Sequence, residues 1–325
     1  MRADYGPHIR PRVIAVSVLS LAAFLACAVL LPLAGSVAID YSRALSGQQP
    51  DNQILFSLRV PRVLLALISG GALSLSGLLF QALLRDALAT PYTLGVSSGA
   101  ALGAVFAISL GLRTVWPASV IAAVLTLVLV VSVAMRQRTI SPFTLLMTGV
   151  TINSICTAGI LFLHSTATFA QSITITRWLM GGIEATDSFT LTFLSCAVIL
   201  LAGWCFQLSR QWNLLAVGED WAAALGVDTQ QMLLLGYLLC SVLTGAVTAF
   251  TGPIGFVGLI VPHALRMSLG ADHRILIPSS FFLGGAFLAL CDTVARTALA
   301  PAEIPVGVIT AIIGGPFFIW LLRKQ

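Results

Sequence analysis

Ten apolar runs organise this chain, at roughly 13–34, 63–84, 92–112, 114–135, 143–165, 188–208, 230–250, 254–270, 275–299 and 306–322. Most match the length of a membrane-crossing helix, since a hydrocarbon core of about 30 Å takes about 20 helical residues. The eighth run is the shortest for a full span. The runs are too long, and alternate too little, for a transmembrane β-barrel. Charged residues make up 9% of the chain and hydrophobic ones 58%. Soluble proteins carry about 25% charged residues, so this chain lacks the polar surface to be one. The expectation is an all-α integral membrane protein with about ten transmembrane helices, folded as a single polytopic unit over residues 1–325. The first run is too long for a signal-peptide core and reads as an uncleaved span.

An even number of spans puts both termini on one side. Taking that side as cytoplasmic places eleven of the seventeen basic residues inside, in keeping with the positive-inside rule. Arg43, Arg59, Arg62, Arg113, Arg177 and Arg296 fall outside. The arginines are scattered singly, which argues against a nucleic-acid surface. Ser69–Gly77 (SGGALSLSG) and Thr244–Gly252 (TGAVTAFTG) echo each other five spans apart. An odd offset gives the two copies opposite orientation, the pattern of an inverted-repeat transporter.

Several chemistries are absent. The one lysine is Lys324, so there is no Walker A loop to hold a nucleotide phosphate. HExxH does not occur. The six cysteines lie in apolar runs without a CxxC and read as packing residues. His263 reads as a helix-end residue bonded to backbone. Asp292 sits well inside a span, with Arg296 at i+4 on the same helix face. The spans carry no cluster of carboxylates suited to a proton relay. Uphill transport would then draw its energy from another subunit; an ion-coupled secondary transporter is the alternative.

One polar island stands out. Asn213–Asp228 (NLLAVGEDWAAALGVD) lies between spans six and seven, on the cytoplasmic side. Glu219 and Asp220 suit the positive end of a short helix, and Gly226 is placed to end it. Small alanines allow close approach, so the island reads as a docking knob.

Gly218-Glu219-x-x-Ala222-x-x-Leu225-Gly226 resembles the coupling segment of the FecCD/BtuC-type permeases. These are membrane subunits of ABC importers for ferric siderophores, haem and cobalamin. The resemblance extends to Arg59-Val-Pro-Arg62, Leu88-Ala-Thr-Pro91, Leu94–Ala100, Trp178–Gly182, Gly255–His263, Asp292–Arg296 and Gly314–Phe318. It implies an inverted-repeat type II importer permease fold and a homodimer with its pore on the two-fold axis. It also implies two separate ABC ATPase subunits that bind ATP and Mg, with no cofactor on this chain itself. A periplasmic or lipid-anchored substrate-binding protein would deliver cargo at a bacterial inner membrane.

By the same resemblance, Gly218, Glu219, Asp220, Ala222, Leu225 and Gly226 contact the ATPase within a coupling segment of about 210–229. Arg59, Arg62 and Arg296 dock the binding protein, with Asp292 orienting Arg296. Asp86, Leu88, Ser141 and Pro142 form the cytoplasmic gate, where Asp86-Ala87 departs from the usual Asn-Pro; Asp86 either lies at the pore or pairs with Arg85 or another cytoplasmic arginine. Thr148, Thr151, Asn153, Thr157 and His164 are pore-lining candidates. The absence of a histidine or tyrosine cluster points to cobalamin or a ferric siderophore ahead of haem.

Overall fold

The computed structural model describes residues 9–86, 89–90, 92, 95–135 and 142–323. Among them, every regular element is helical. The chain begins with α1 (Ile9–Leu30) and a 3-10 turn, then two short helices, α2 (Tyr41–Leu45) and α3 (Asp51–Gln53). A π-helical stretch, Ile54–Arg59, runs straight into α4 (Val60–Leu84). There follow α5 (Val96–Ser109), α6 (Trp116–Ala134), α7 (Pro142–Ser165) and α8 (Phe169–Leu179). The second half holds α9 (Ser188–Gln207), α10 (Ser209–Val217), α11 (Glu219–Ala224) and α12 (Thr229–Thr251). It closes with α13 (Val257–Leu269), α14 (His273–Thr297) and α15 (Val306–Leu322). Seven helices are long and apolar enough to cross a membrane, and three shorter apolar ones complete the ten expected.

α4 is the central post. It packs along α14, α12 and α13, and nearly all of its length is buried. Glycines and serines let these backbones approach closely. A Cβ on Gly77 would overlap the Gly258 carbonyl of α13, and one on Gly70 the Gly284 carbonyl of α14. Ser76 Oγ lies 2.8 Å from Thr244 Oγ1 and donates to the Cys240 carbonyl at 3.0 Å. The two echoing motifs therefore lie on helices that meet. α1, α6, α7 and α9 ring this post with exposed Leu, Val, Ile and Phe side chains, the surface a bilayer would cover.

The structure corrects several boundaries. The second span begins at Asp51 rather than 63, because the π-helical turn carries the helix through Arg59. Pro61 lacks a donor N–H, and a wider turn beside it accommodates that loss. The third span shrinks from 92–112 to Val96–Ser109. It starts after Gly95 at φ 79°, and α13 starts in the same way after Phe256 at φ 69°. Both halves thus open a short helix on a left-handed residue. His263 sits inside α13 rather than at a helix end. Cys196 is exposed on α9, while the other five cysteines are buried.

Candidate functional site

The acidic island folds into two helices set against the end of α4. Trp212 of α10 is fully buried, and its indole N–H donates to the Cys205 carbonyl at 3.2 Å. Asn213 joins α10 to the start of α14. Its Nδ2 donates to Asp272 Oδ1 at 2.8 Å, and its Oδ1 accepts the His273 backbone N–H at 2.7 Å. Beyond Gly218, α11 projects outward. Gly226 takes φ +83° and closes the helix: its N–H bonds to the Ala223 carbonyl, and that of Val227 to the Ala222 carbonyl. This pair of bonds is a Schellman cap. Ala222 is buried, whereas Asp220, Trp221 and Leu225 face outward. Trp221 and Leu225, four residues apart and both exposed, give the knob an apolar face. Glu219 turns back and meets Arg85 at 2.6 Å.

Arg85 therefore pairs with Glu219. Asp86 is exposed at the end of α4, and its carbonyl accepts the Ala89 N–H at 3.2 Å. Pro142 is the first residue of α7. Leu88 and Ser141 lie outside the described residues. Past this loop the Tyr92 hydroxyl donates to the Ile254 carbonyl and accepts the Ile254 N–H at 2.7 Å.

At the opposite end of the bundle, the three arginines marked for docking turn inward. Arg59 is buried and donates to the carbonyls of Pro32, Leu33 and Val37. Arg62 grips Asp292 at 3.0 and 3.1 Å and Glu303 at 3.1 Å. Arg296 is buried, with Asp292 at 3.8 Å and the Leu31 carbonyl at 3.0 Å. Asp292 is 1% exposed. It holds Arg62 more closely than Arg296, the partner that i+4 spacing suggests. These charges brace α4 against α14. In this arrangement Arg59 and Arg296 present no free guanidinium to a docking partner.

A cavity of about 520 Å³ opens beside this brace, lined by Arg62, Arg113, Trp116, Arg177, Trp178 and Glu184 among others. Arg113 and Arg177 are exposed. Each stands alone in the sequence, with no motif around it. The Asp187 carboxyl at the rim accepts the Thr190 N–H at 2.9 Å, which holds it below the usual carboxylate range.

Along α7, Thr151, Asn153, Ser154 and Thr157 are exposed and Thr148 is half-buried. The hydroxyls of Thr151, Ser154 and Thr157 donate to the carbonyls four residues back, at 2.9, 3.1 and 2.8 Å. This wall is polar yet holds back its hydroxyl protons. His164 is half-buried and faces α8, its Nε2 3.0 Å from Ser172 Oγ and 3.2 Å from Thr176 Oγ1. It joins two helices. A capping box at Thr168 and Gln171 starts α8, and Gln171 also donates to the Ser109 carbonyl at 2.9 Å.

Among the described residues, ten apolar helices stand about a small-residue core, with a knob at one end and a cavity at the other, the build of a polytopic membrane protein. The chain belongs to the FecCD transport family, matching it over residues 18–324. It is 39% identical over 285 residues to the hemin transport system permease HmuU of Yersinia pestis, across 84% of each chain. It is 38% identical over 297 residues to the cobalamin import system permease BtuC of Halobacterium salinarum, across 89% of this chain and 79% of that one. Among solved structures, an inward-facing metal-chelate type ABC transporter superposes with a TM-score of 0.85 at 31% identity. The match covers 96% of this chain and 100% of that one. The fold is that of a type II ABC importer permease.

Proposed function

We propose that this chain is the membrane permease of an ATP-driven importer that passes a metal chelate to the cytoplasm of a bacterium. Its relatives are named for haem and for cobalamin, so the cargo class is a large metal chelate, ferric siderophores included. Two copies, each a single unit over 1–325, would enclose the pore in the inner membrane. The observation that carries this reading is α11, an exposed knob built on a firmly anchored α10. Asp220, Trp221 and Leu225 offer a mixed acidic and apolar face to a cleft on a separate ATPase, which would hold the ATP and Mg. A binding protein would deliver cargo at the Arg62 end. Asp86 and the loop that follows would gate the Arg85 end, and the exposed α7 face of Thr151, Asn153 and Thr157 would line the pore. Exposed polar groups on an apolar helix suit a water-filled path better than lipid.

An ion-coupled carrier is less well supported. Asp292 is the buried carboxylate among the described residues, and its two arginines hold it as a structural anion. The test is uptake into proteoliposomes holding this chain with its ATPase and binding protein. Labelled cobalamin, a ferric siderophore and haem are offered in parallel, with and without ATP. ATP-dependent accumulation of one of them is expected. Uptake that needs a proton gradient and no ATP would overturn the reading.

A further inference from the structure

The tie between Arg85 and Glu219 has a geometry that packing alone does not require. Arg85 ends α4 at φ 52°, ψ 32°. Among the described residues, it and Phe256 are the non-glycine residues with positive φ. Glycine adopts this conformation without the steric cost that a Cβ brings, so an arginine here points to a use for its side chain. That side chain reaches across 134 positions of sequence to Glu219, the first residue of α11, at 2.6 Å. Among the described residues, this is the one side-chain bond from α11 to another helix. Glycines flank α11 on both sides, at 218 and 226. Its neighbour α10 is held independently, by Trp212 and by Asn213 on α14. α4, by contrast, is the most buried of the seven candidate spans among the described residues. The pair thus joins a lightly held knob to the stiffest post, next to Asp86.

We propose that Arg85 is a positioning residue: its ion pair with Glu219 is a strut that delivers displacement of α11 to the end of α4 at Arg85 and Asp86. This rests on the reading that α11 receives force from an ATPase. A partly exposed pair biases an equilibrium by up to about fivefold, which sets the size of the effect. Arg85 itself lies off the exposed face of α11, so ATPase binding is not at stake.

The experiment has two arms. In the first, Asp220→Cys is spin-labelled in a Cys196→Ser background, which removes the exposed native thiol. Arg85→Ala should increase the mobility of the label and Arg85→Lys should largely restore it. An unchanged spectrum in Arg85→Ala would overturn the strut. This arm needs no transport. In the second, the reconstituted complex is assayed for uptake per ATP hydrolysed with labelled cobalamin, a ferric siderophore and haem. Arg85→Ala should keep ATPase co-purification and lower uptake per ATP by up to about fivefold. The exchange of Arg85→Glu with Glu219→Arg should do better than either single change. Unchanged uptake per ATP, or an exchange no better than its parts in assembled complexes, would refute delivery through this pair. Failure of the unaltered complex to take up any cargo with ATP would count against the importer reading, while the spin label still decides the strut.

Discussion

Asp292→Asn should be among the most destabilising isosteric changes in this chain. The carboxylate is 1% exposed and faces two guanidinium groups, Arg62 at 3.0 Å and Arg296 at 3.8 Å. Asparagine preserves shape and one acceptor but removes the charge. Each pair contributes about 4 kcal/mol of attraction at an effective dielectric of 20 and a charge separation near 4 Å. Glu303 still partly compensates Arg62, and the desolvation of both arginines remains. Breaking a buried pair in this way costs about 3–5 kcal/mol. Glu303→Gln is the internal control. Glu303 is 38% exposed, so its loss should cost no more than about 1 kcal/mol. Comparative unfolding in one lipid or detergent system measures the difference. Equal losses for the two variants, or a loss under about 1 kcal/mol for Asp292→Asn, would refute the brace. The result bears on docking as well, because reversing Arg62 or Arg296 to glutamate would disturb the fold before it reported on a partner.

Glycine contacts make a second contrast. Gly77→Ala should destabilise by about 1–3 kcal/mol through overlap with α13. Gly203→Ala, with open space around it, should be neutral or stabilising by up to about 1 kcal/mol; a melting comparison reads both. Trp212→Ala removes a fully buried indole and should cost about 3–5 kcal/mol. Partial proteolysis should then reveal α10 loosened from α14. Single cysteines at exposed positions 43 and 184 should react with an impermeant label from outside, and one at 220 from inside only. The opposite pattern would reverse the topology.

What was legible in the sequence depended on the range of the interaction. Ten helices could be counted because bilayer-length hydrophobic runs are a local property, and the described residues hold seven apolar helices of spanning length and three shorter ones. α11 was legible because acids at its first turn and a left-handed glycine at its end act within a few residues. The start of the second span was not. Gln53, Ser57 and Arg59 lower the local hydropathy, and only the carbonyls of Pro32, Leu33 and Val37 make Arg59 acceptable inside. Arg62 finds Asp292 across 230 positions of sequence and Glu303 across 241. Spacing arguments offered Arg296 as the natural partner, yet helix packing brought Arg62 closer. α13 likewise looked longer, because nothing in the composition around Phe256 marks a left-handed residue.

The same contrast separates the two ends of the molecule. At the Arg62 end, charged side chains are drawn inward and compensated within the chain, leaving Arg113 and Arg177 exposed at the cavity. At the Arg85 end, among the described residues, one partly exposed ion pair connects the knob to the core. Buried, multiply bonded charge resists rearrangement, whereas a half-exposed pair can form and break at little cost. A permease that must hold its shape across the bilayer while passing on the motion of a partner needs the first kind of contact in its frame. On the proposed reading it needs the second kind where the motion would enter, at the pair of Arg85 and Glu219.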